Sequence, residues 1–163
     1  MEDANYITSI TAILSATVAV IGLAIQIYSK RKDDLLKNPS LVSCWIDKDY
    51  DGYNCLVVLI MNASDLPIYD VIVSVDNSDS GIIQKGNNNC SCIKIVPPGK
   101  YCVSVPYSGH GMHIALNSSI SFRDNKNKFW TRDSKGILSK NKKSSYETRN
   151  ITLPVIEAVI EKK

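Results

Sequence analysis

The sequence predicts a mainly β protein. One N-terminal transmembrane α-helix leads into an immunoglobulin-like antiparallel β-sandwich, and a short C-terminal helix closes the chain. Three observations predict this. Residues Ile7 to Tyr28 form an uncharged run of 22. After Pro39 the apolar period changes from helical to two. Seven or eight strand-like segments then follow, separated by turn-rich stretches.

The helix comes first. At ~1.5 Å rise per residue the run covers a hydrocarbon core of about 30 Å. Its Ser and Thr hydroxyls can return to the backbone carbonyl one turn back, so lipid tolerates them. Tyr6 and Tyr28 flank it, where amphipathic rings favour the headgroup level. A cleavable signal peptide would need a basic leader and an apolar core of ~7–15 residues. The leader here is Met1-Glu2-Asp3, and the run is longer. Lys30, Arg31 and Lys32 follow the run and no base precedes it. Lys and Arg stay on the cytoplasmic side, so the N-terminus is expected outside and the remainder in the cytoplasm, in a single pass of the cell membrane. Ala12, Ala16, Ala19 and Gly22 are small residues at helical spacing, which allows close helix approach and predicts self-association. The helix is expected to run on through Lys37 and to end before Pro39.

The strands follow in order. Leu41 to Ile46 reads as the first. Cys55 to Met61 is apolar on both faces, as a central strand is. Ile68 to Val75 alternates, with Val71, Val73 and Val75 on one face. Cys92 to Val96 puts Ile93 and Ile95 inward and Lys94 out. Pro97-Pro98-Gly99 is a turn, and Tyr101, Val103 and Val105 alternate after it. Ile114 to Phe122 and Lys128 to Arg132 flank the turn Asp124-Asn125-Lys126-Asn127 as a hairpin. Ile137-Leu138 adds a last short strand. After Pro154, apolar residues at i, i+1, i+4 and i+5 predict an amphipathic helix. The expected divisions are therefore an anchor with its connector over 1–38, a sandwich over 39–150, and a helix over 151–163.

Composition excludes several classes. A chain of 163 residues with 44% apolar content and a net charge of +3 folds and is not disordered. Five scattered cysteines, an odd number, do not make a secreted disulfide framework and agree with a reducing compartment. Residues 123–149 hold nine bases and three acids, and so set the sign of the whole chain. Lys140, Lys142 and Lys143 lie in this stretch and are expected to touch anionic headgroups, each contributing ~1 kcal/mol near such a surface. Nucleic acid is the less favoured partner for the same cations.

Candidate chemistry is sparse. Asp47, Asp49 and Asp51 before Gly52 match the first half of a calcium loop, but Val58 stands where its bidentate Glu belongs, so an acidic turn is preferred. Cys90 and Cys92 with His110 and His113 carry zinc-type donors, but the Cys-x-Cys spacing is tight, and buried thiols with loop histidines are preferred. No Gly-x-Ser-x-Gly and no phosphate-binding loop is present. No catalytic residue and no cofactor are expected.

The run Asn62-Ala63-Ser64-Asp65-Leu66-Pro67-Ile68-Tyr69-Asp70-Val71 precedes Pro97-Pro98-Gly99. Phe122-Arg123-Asp124, Trp130-Thr131-Arg132 and Gly136-Ile137-Leu138 follow. Over roughly half the chain this pattern resembles a group of poorly characterised bacterial membrane-associated proteins with an immunoglobulin-like β-sandwich domain. The resemblance implies fold and membrane association and assigns no catalytic residue. Those proteins commonly carry Gly in the turn after Phe-x-Asp. Asn127 stands here, and Asn tolerates the left-handed geometry. The functional expectation is a membrane-anchored, non-catalytic domain that binds a protein or signalling ligand, through loops such as 76–89 and 108–113. The alternative is a membrane effector, of toxin or defence type, whose helices cluster to perturb the bilayer.

Overall fold

The computed structural model describes residues 2–47, 55–77, 89–107, 116–151 and 156–163, with side chains from Leu14 onward in the first helix. The chain divides into two compact units, Met1–Lys37 and Asn38–Lys163.

The first unit is one helix, α1 (Glu2–Leu36). Pro39 stops it as expected and starts a 3-10 turn, Pro39–Leu41. Among the described residues no helix is long and apolar enough to cross a membrane. Sixteen residues with described side chains, Leu14 to Ser29, precede Lys30. Within them Leu14, Val18, Val20, Ile21, Leu23, Ile25 and Ile27 are all exposed. At 100° per residue these positions spread over about 220° of the helix circumference, and the remaining arc carries Ser15, Ala19, Gly22, Gln26 and Ser29.

The second unit is a sandwich of two antiparallel sheets. Its strands are β1 (Val42–Ile46), β2 (Cys55–Asn62), β3 (Ile68–Asn77), β4 (Cys90–Val96), β5 (Gly99–Pro106), β6 (Leu116–Arg123), β7 (Phe129–Arg132), β8 (Leu138–Asn141) and β9 (Glu161–Lys162). One sheet runs β1-β2-β5-β9 and the other β4-β3-β6-β7-β8. Period-two alternation explains most of the core. Val58 and Ile60 of β2, Val103 and Val105 of β5, Val71, Val73 and Val75 of β3, and Ile120 and Phe122 of β6 are buried. Burying side chains of this size contributes ~1.5–3 kcal/mol each before entropy is charged against them.

Three expectations change. Ile95 is exposed although Ile93 is buried, because β4 is a sheet edge and Ile95 lies near its end. The described residues 156–163 are extended rather than helical. Glu157 bridges Cys92 in parallel, and β9 adds to β5. Two exposed strand edges offered hydrogen-bond partners, and the β-branched residues of this segment suit extended backbone. The short helix is instead α2 (Ser145–Arg149), whose N-cap Ser144 accepts from the Glu147 amide and whose C-cap Asn150 is left-handed.

Turn chemistry fixes the connections. The Asn62 side chain donates to the carbonyls of Leu66 and Val96, and Ser64 donates to the Asn62 carbonyl oxygen at 2.6 Å. These bonds brace the crossover from β2 to β3. Asp70 takes φ 48° at a bulge in β3, where the Arg123 guanidinium binds its carboxylate at 2.6 Å and stacks over Tyr69. In the β6–β7 hairpin, the buried Asp124 carboxylate accepts from the Lys126 and Lys128 amides and the Trp130 indole, each at 2.8 Å. Asn127 there is left-handed, as expected.

Candidate functional site

Two places in the second unit concentrate polar groups that packing alone does not require. The first is an open cleft of about 460 Å³ lined by β1, the start of β6 and the turn after β7. β1 is the edge of its sheet. The Asp47 amide bonds the Val57 carbonyl, and the Ala63 amide bonds the Leu41 carbonyl. In an antiparallel ladder the bonded residues alternate, so Leu41, Ser43, Trp45 and Asp47 turn their backbone groups toward β2. Val42, Cys44 and Ile46 turn theirs toward the free edge. Arg132 occupies the first of these places, donating from Nε to the Val42 carbonyl at 2.7 Å. It also donates to the Ser40 and Gly136 carbonyls. The cleft runs along the remainder of that edge, past Cys44, Ile46 and Ser118. Trp45 keeps 40% of its surface open, with the Lys100 ammonium 5.9 Å from its ring centre. Burial pushes the Cys44 thiol up to about 11, against a hydrogen bond with Ser118 and the charge of Arg132.

The second place is the outer face of the five-stranded sheet. Polar side chains ladder across it: Ser74 to Ser119 at 2.7 Å, and Ser121 to Thr131 to Asn141 at 2.8 and 2.7 Å. The helix α2 lays Arg149 over this ladder. Arg149 is 1% exposed, and its Nη2 donates to Ser74 Oγ at 2.6 Å, while Nη1 has no hydrogen-bond partner. Burial lowers the proton affinity of Arg149, against the charges of Asp76 and the nearby thiols. Asp76 is raised by burial, against the charge of Arg149 and a hydrogen bond with Ser74. Cys90 stands across from Ser74, and Cys92 across from Ile72. Both thiols pack with Ile72, Ile151 and Tyr146 in a small cluster. Their hydrogen bond splits them. Cys90 is lowered to about 7, chiefly by the contact with Cys92, with Arg149 adding to it against burial. Cys92 is raised by that same contact and by burial.

The residues singled out from sequence fare differently. Asp47 pairs with Lys163 at 2.6 Å, while Asp49 and Asp51 lie outside the described residues. His110 and His113 lie outside them too, so the zinc-type set is represented by Cys90 and Cys92 alone. Among the described residues no three His, Cys, Asp or Glu groups gather as a metal site would need. Most of the loops 76–89 and 108–113 is likewise outside the described residues. Lys30, Arg31 and Lys32 are exposed at the end of α1. Lys140, Lys142 and Lys143 are exposed along and just beyond the edge strand β8. Three arginines of the basic stretch, Arg123, Arg132 and Arg149, serve as internal struts. Ala16 and Ala19 are exposed on α1, Gly22 has open space around it, and the Ala12 side chain is outside the described set.

Sequence reasoning missed Arg149, Ser74 and the cleft. Ser144-x-x-Glu147 is a readable helix-start signal for α2, and so for Arg149. The cleft depends on sheet order, which no local pattern carries. Comparison with known proteins adds no relative: no family model, no curated protein and no solved structure matches the chain.

Proposed function

We propose that this chain is a single-pass membrane protein whose cytoplasmic, immunoglobulin-like sandwich binds an extended segment of a protein partner, without catalysis. The observation that carries the binding role is the free edge of β1 facing an open cleft. The backbone groups of Cys44 and Ile46 are turned toward it, and the half-exposed Trp45 stands beside them. A partner strand laid along that edge would gain main-chain hydrogen bonds, with side-chain pockets giving selectivity. The strand order supports the immunoglobulin-like reading. β1, β2 and β5 share one sheet and β3, β6 and β7 the other, as strands A, B, E and C, F, G do in that fold.

The anchor rests on α1. A helix whose exposed apolar side chains occupy more than half of its circumference, with no charge over the run, is best accommodated by an apolar surrounding. The cations Lys30, Arg31 and Lys32 set its direction, N-terminus outside.

Two experiments test this reading. Alkaline extraction should leave the full chain in the membrane pellet, and protease outside intact cells should spare the sandwich. Recovery in the soluble fraction removes the anchor. Purified from membranes, the chain should retain a stoichiometric partner that Ser118→Arg releases and Lys140→Ala does not. A partner that survives Ser118→Arg removes the cleft.

The effector reading is favoured by one observation, the open space around Gly22 beside the exposed Ala19. If clustered helices perturb the bilayer, overexpression arrests growth, and Ala16→Leu with Ala19→Leu abolishes the arrest.

A further inference from the structure

The outer-face cluster plays no part in the binding proposed above. Its two thiols sit at i and i+2 on β4, so period two puts both on one face, in hydrogen-bond contact with each other. A guanidinium that is 1% exposed lies over the neighbouring Ser74 and has one nitrogen without a partner. Within 4 Å no carboxylate pairs with it among the described residues. A buried cation left in this state is costly unless an anion compensates it. Asp76 and a thiolate are the available anions, and the charge of Arg149 favours both. The same charge opposes a metal cation at these sulfurs. A thiolate nucleophile is therefore the chemistry that gains from Arg149, and a soft-metal site is the one that loses.

We propose that Cys90 and Cys92 form an oxidation site for hydroperoxides, with Cys90 as the nucleophile and Cys92 as the resolving thiol.

The step balances as follows in atoms and electrons. The Cys90 sulfur attacks the terminal oxygen of the hydroperoxide, and the O–O bond breaks. The leaving alkoxide or hydroxide takes up a proton. Sulfur has lost two electrons, the peroxide has gained them, and Cys90 is a sulfenic acid. The Cys92 sulfur then attacks the Cys90 sulfur. The S–O bond breaks, and hydroxide leaves with the Cys92 proton as water. Two thiols and one hydroperoxide give one disulfide, one alcohol or water, and one further water. The two thiols share a hydrogen bond, but residues two apart on a strand have Cα atoms about 6.6 Å apart, near the upper limit for a disulfide. The strand must pucker at Ser91, so the bond is strained and readily reduced. Cys90 opens β4 directly after the left-handed Asn89, and at 8% exposure it is the less buried of the two thiols, against 5% for Cys92.

Hydrogen peroxide at sub-millimolar concentration is the probe, applied to the full chain in detergent. Mass spectrometry should find the peptide holding Cys90 and Cys92 lighter by two hydrogens before Cys44, Cys55 or Cys102 is changed. The expected lead is about tenfold over Cys44, the thiol whose ionisation burial suppresses. A dithiol reductant should reverse it. In Cys92→Ser, a sulfenic-acid trap such as dimedone should label Cys90. In Cys90→Ser, position 92 should stay unlabelled. Oxidation of Cys44, Cys55 or Cys102 as fast as the pair overturns the proposal, as does labelling of Cys92 in Cys90→Ser. Should both variants prove unstable, alkylation of the unmodified chain by iodoacetamide at neutral pH decides: Cys90 reacts first, or the proposal falls.

Discussion

Asp124 shows how one side chain can hold a hairpin. Its carboxylate takes two turn amides and the Trp130 indole, and the residue is only 3% exposed. Asp124→Ala leaves the buried Trp130 indole unpaired and frees two turn amides to water, which should cost about 1–3 kcal/mol, read as a lower urea midpoint with unchanged m-value. The turn itself was legible, because Asp-Asn-Lys-Asn is turn chemistry and Asn127 suits its left-handed place. The indole contact was not, since it needs the register that sets Phe122 against Trp130. Cys44 gives a second prediction. Its thiol is neutral in the folded chain up to about pH 11 and would ionise near 9 when unfolded. Between those values the unfolded chain holds fewer protons, so stability falls as pH rises from 9 to 11, by about 1–3 kcal/mol. Cys44→Ala should flatten this alkaline decline in denaturant titrations taken at each pH.

At the level of elements, strands proved the most readable. Val71, Val73 and Val75 alternate, and alternation is local, so β3 was placed from sequence with its inward face correct. The bulge at Asp70 was hidden, because it answers to Arg123 on another strand. The segment after Pro154 was misread for a different reason. Val155, Ile156, Val159 and Ile160 fit a helix stripe and an extended edge equally well, and β4 and β5 had edges to offer. α2 went unread because five residues hold too few apolar positions to show a period. Its capping signal allows a test. Ser144→Ala removes the acceptor for the Glu147 amide and should cost about 1 kcal/mol. Hydrogen exchange at the amides of Thr148 and Ile151 should quicken several-fold, while β2 and β3 stay protected.

Across the whole molecule, a sandwich was foreseeable and its cleft was not. Seven or eight strands with few helical signals leave little choice but two packed sheets. Which strand ends at an edge depends on chain crossings between the sheets, and the cleft is made by such an edge. The apolar run of α1 was equally plain in sequence, and its exposed side chains are the feature from which the anchor is argued. Arg132 is the tie that joins these scales. Arg132→Lys keeps the charge but loses the planar fork, so the Ser40 and Val42 carbonyls cannot both be held.

That fork also has a mechanical meaning. Tension arriving along the backbone from residue 38 meets the guanidinium of Arg132 before it reaches any core strand. Two carbonyls, those of Ser40 and Val42, then share the load in parallel, so the first rupture under traction should be abrupt rather than a gradual peeling. Optical tweezers with handles at residue 38 and Lys163 should record a lower yield force for Arg132→Lys than for the unaltered chain.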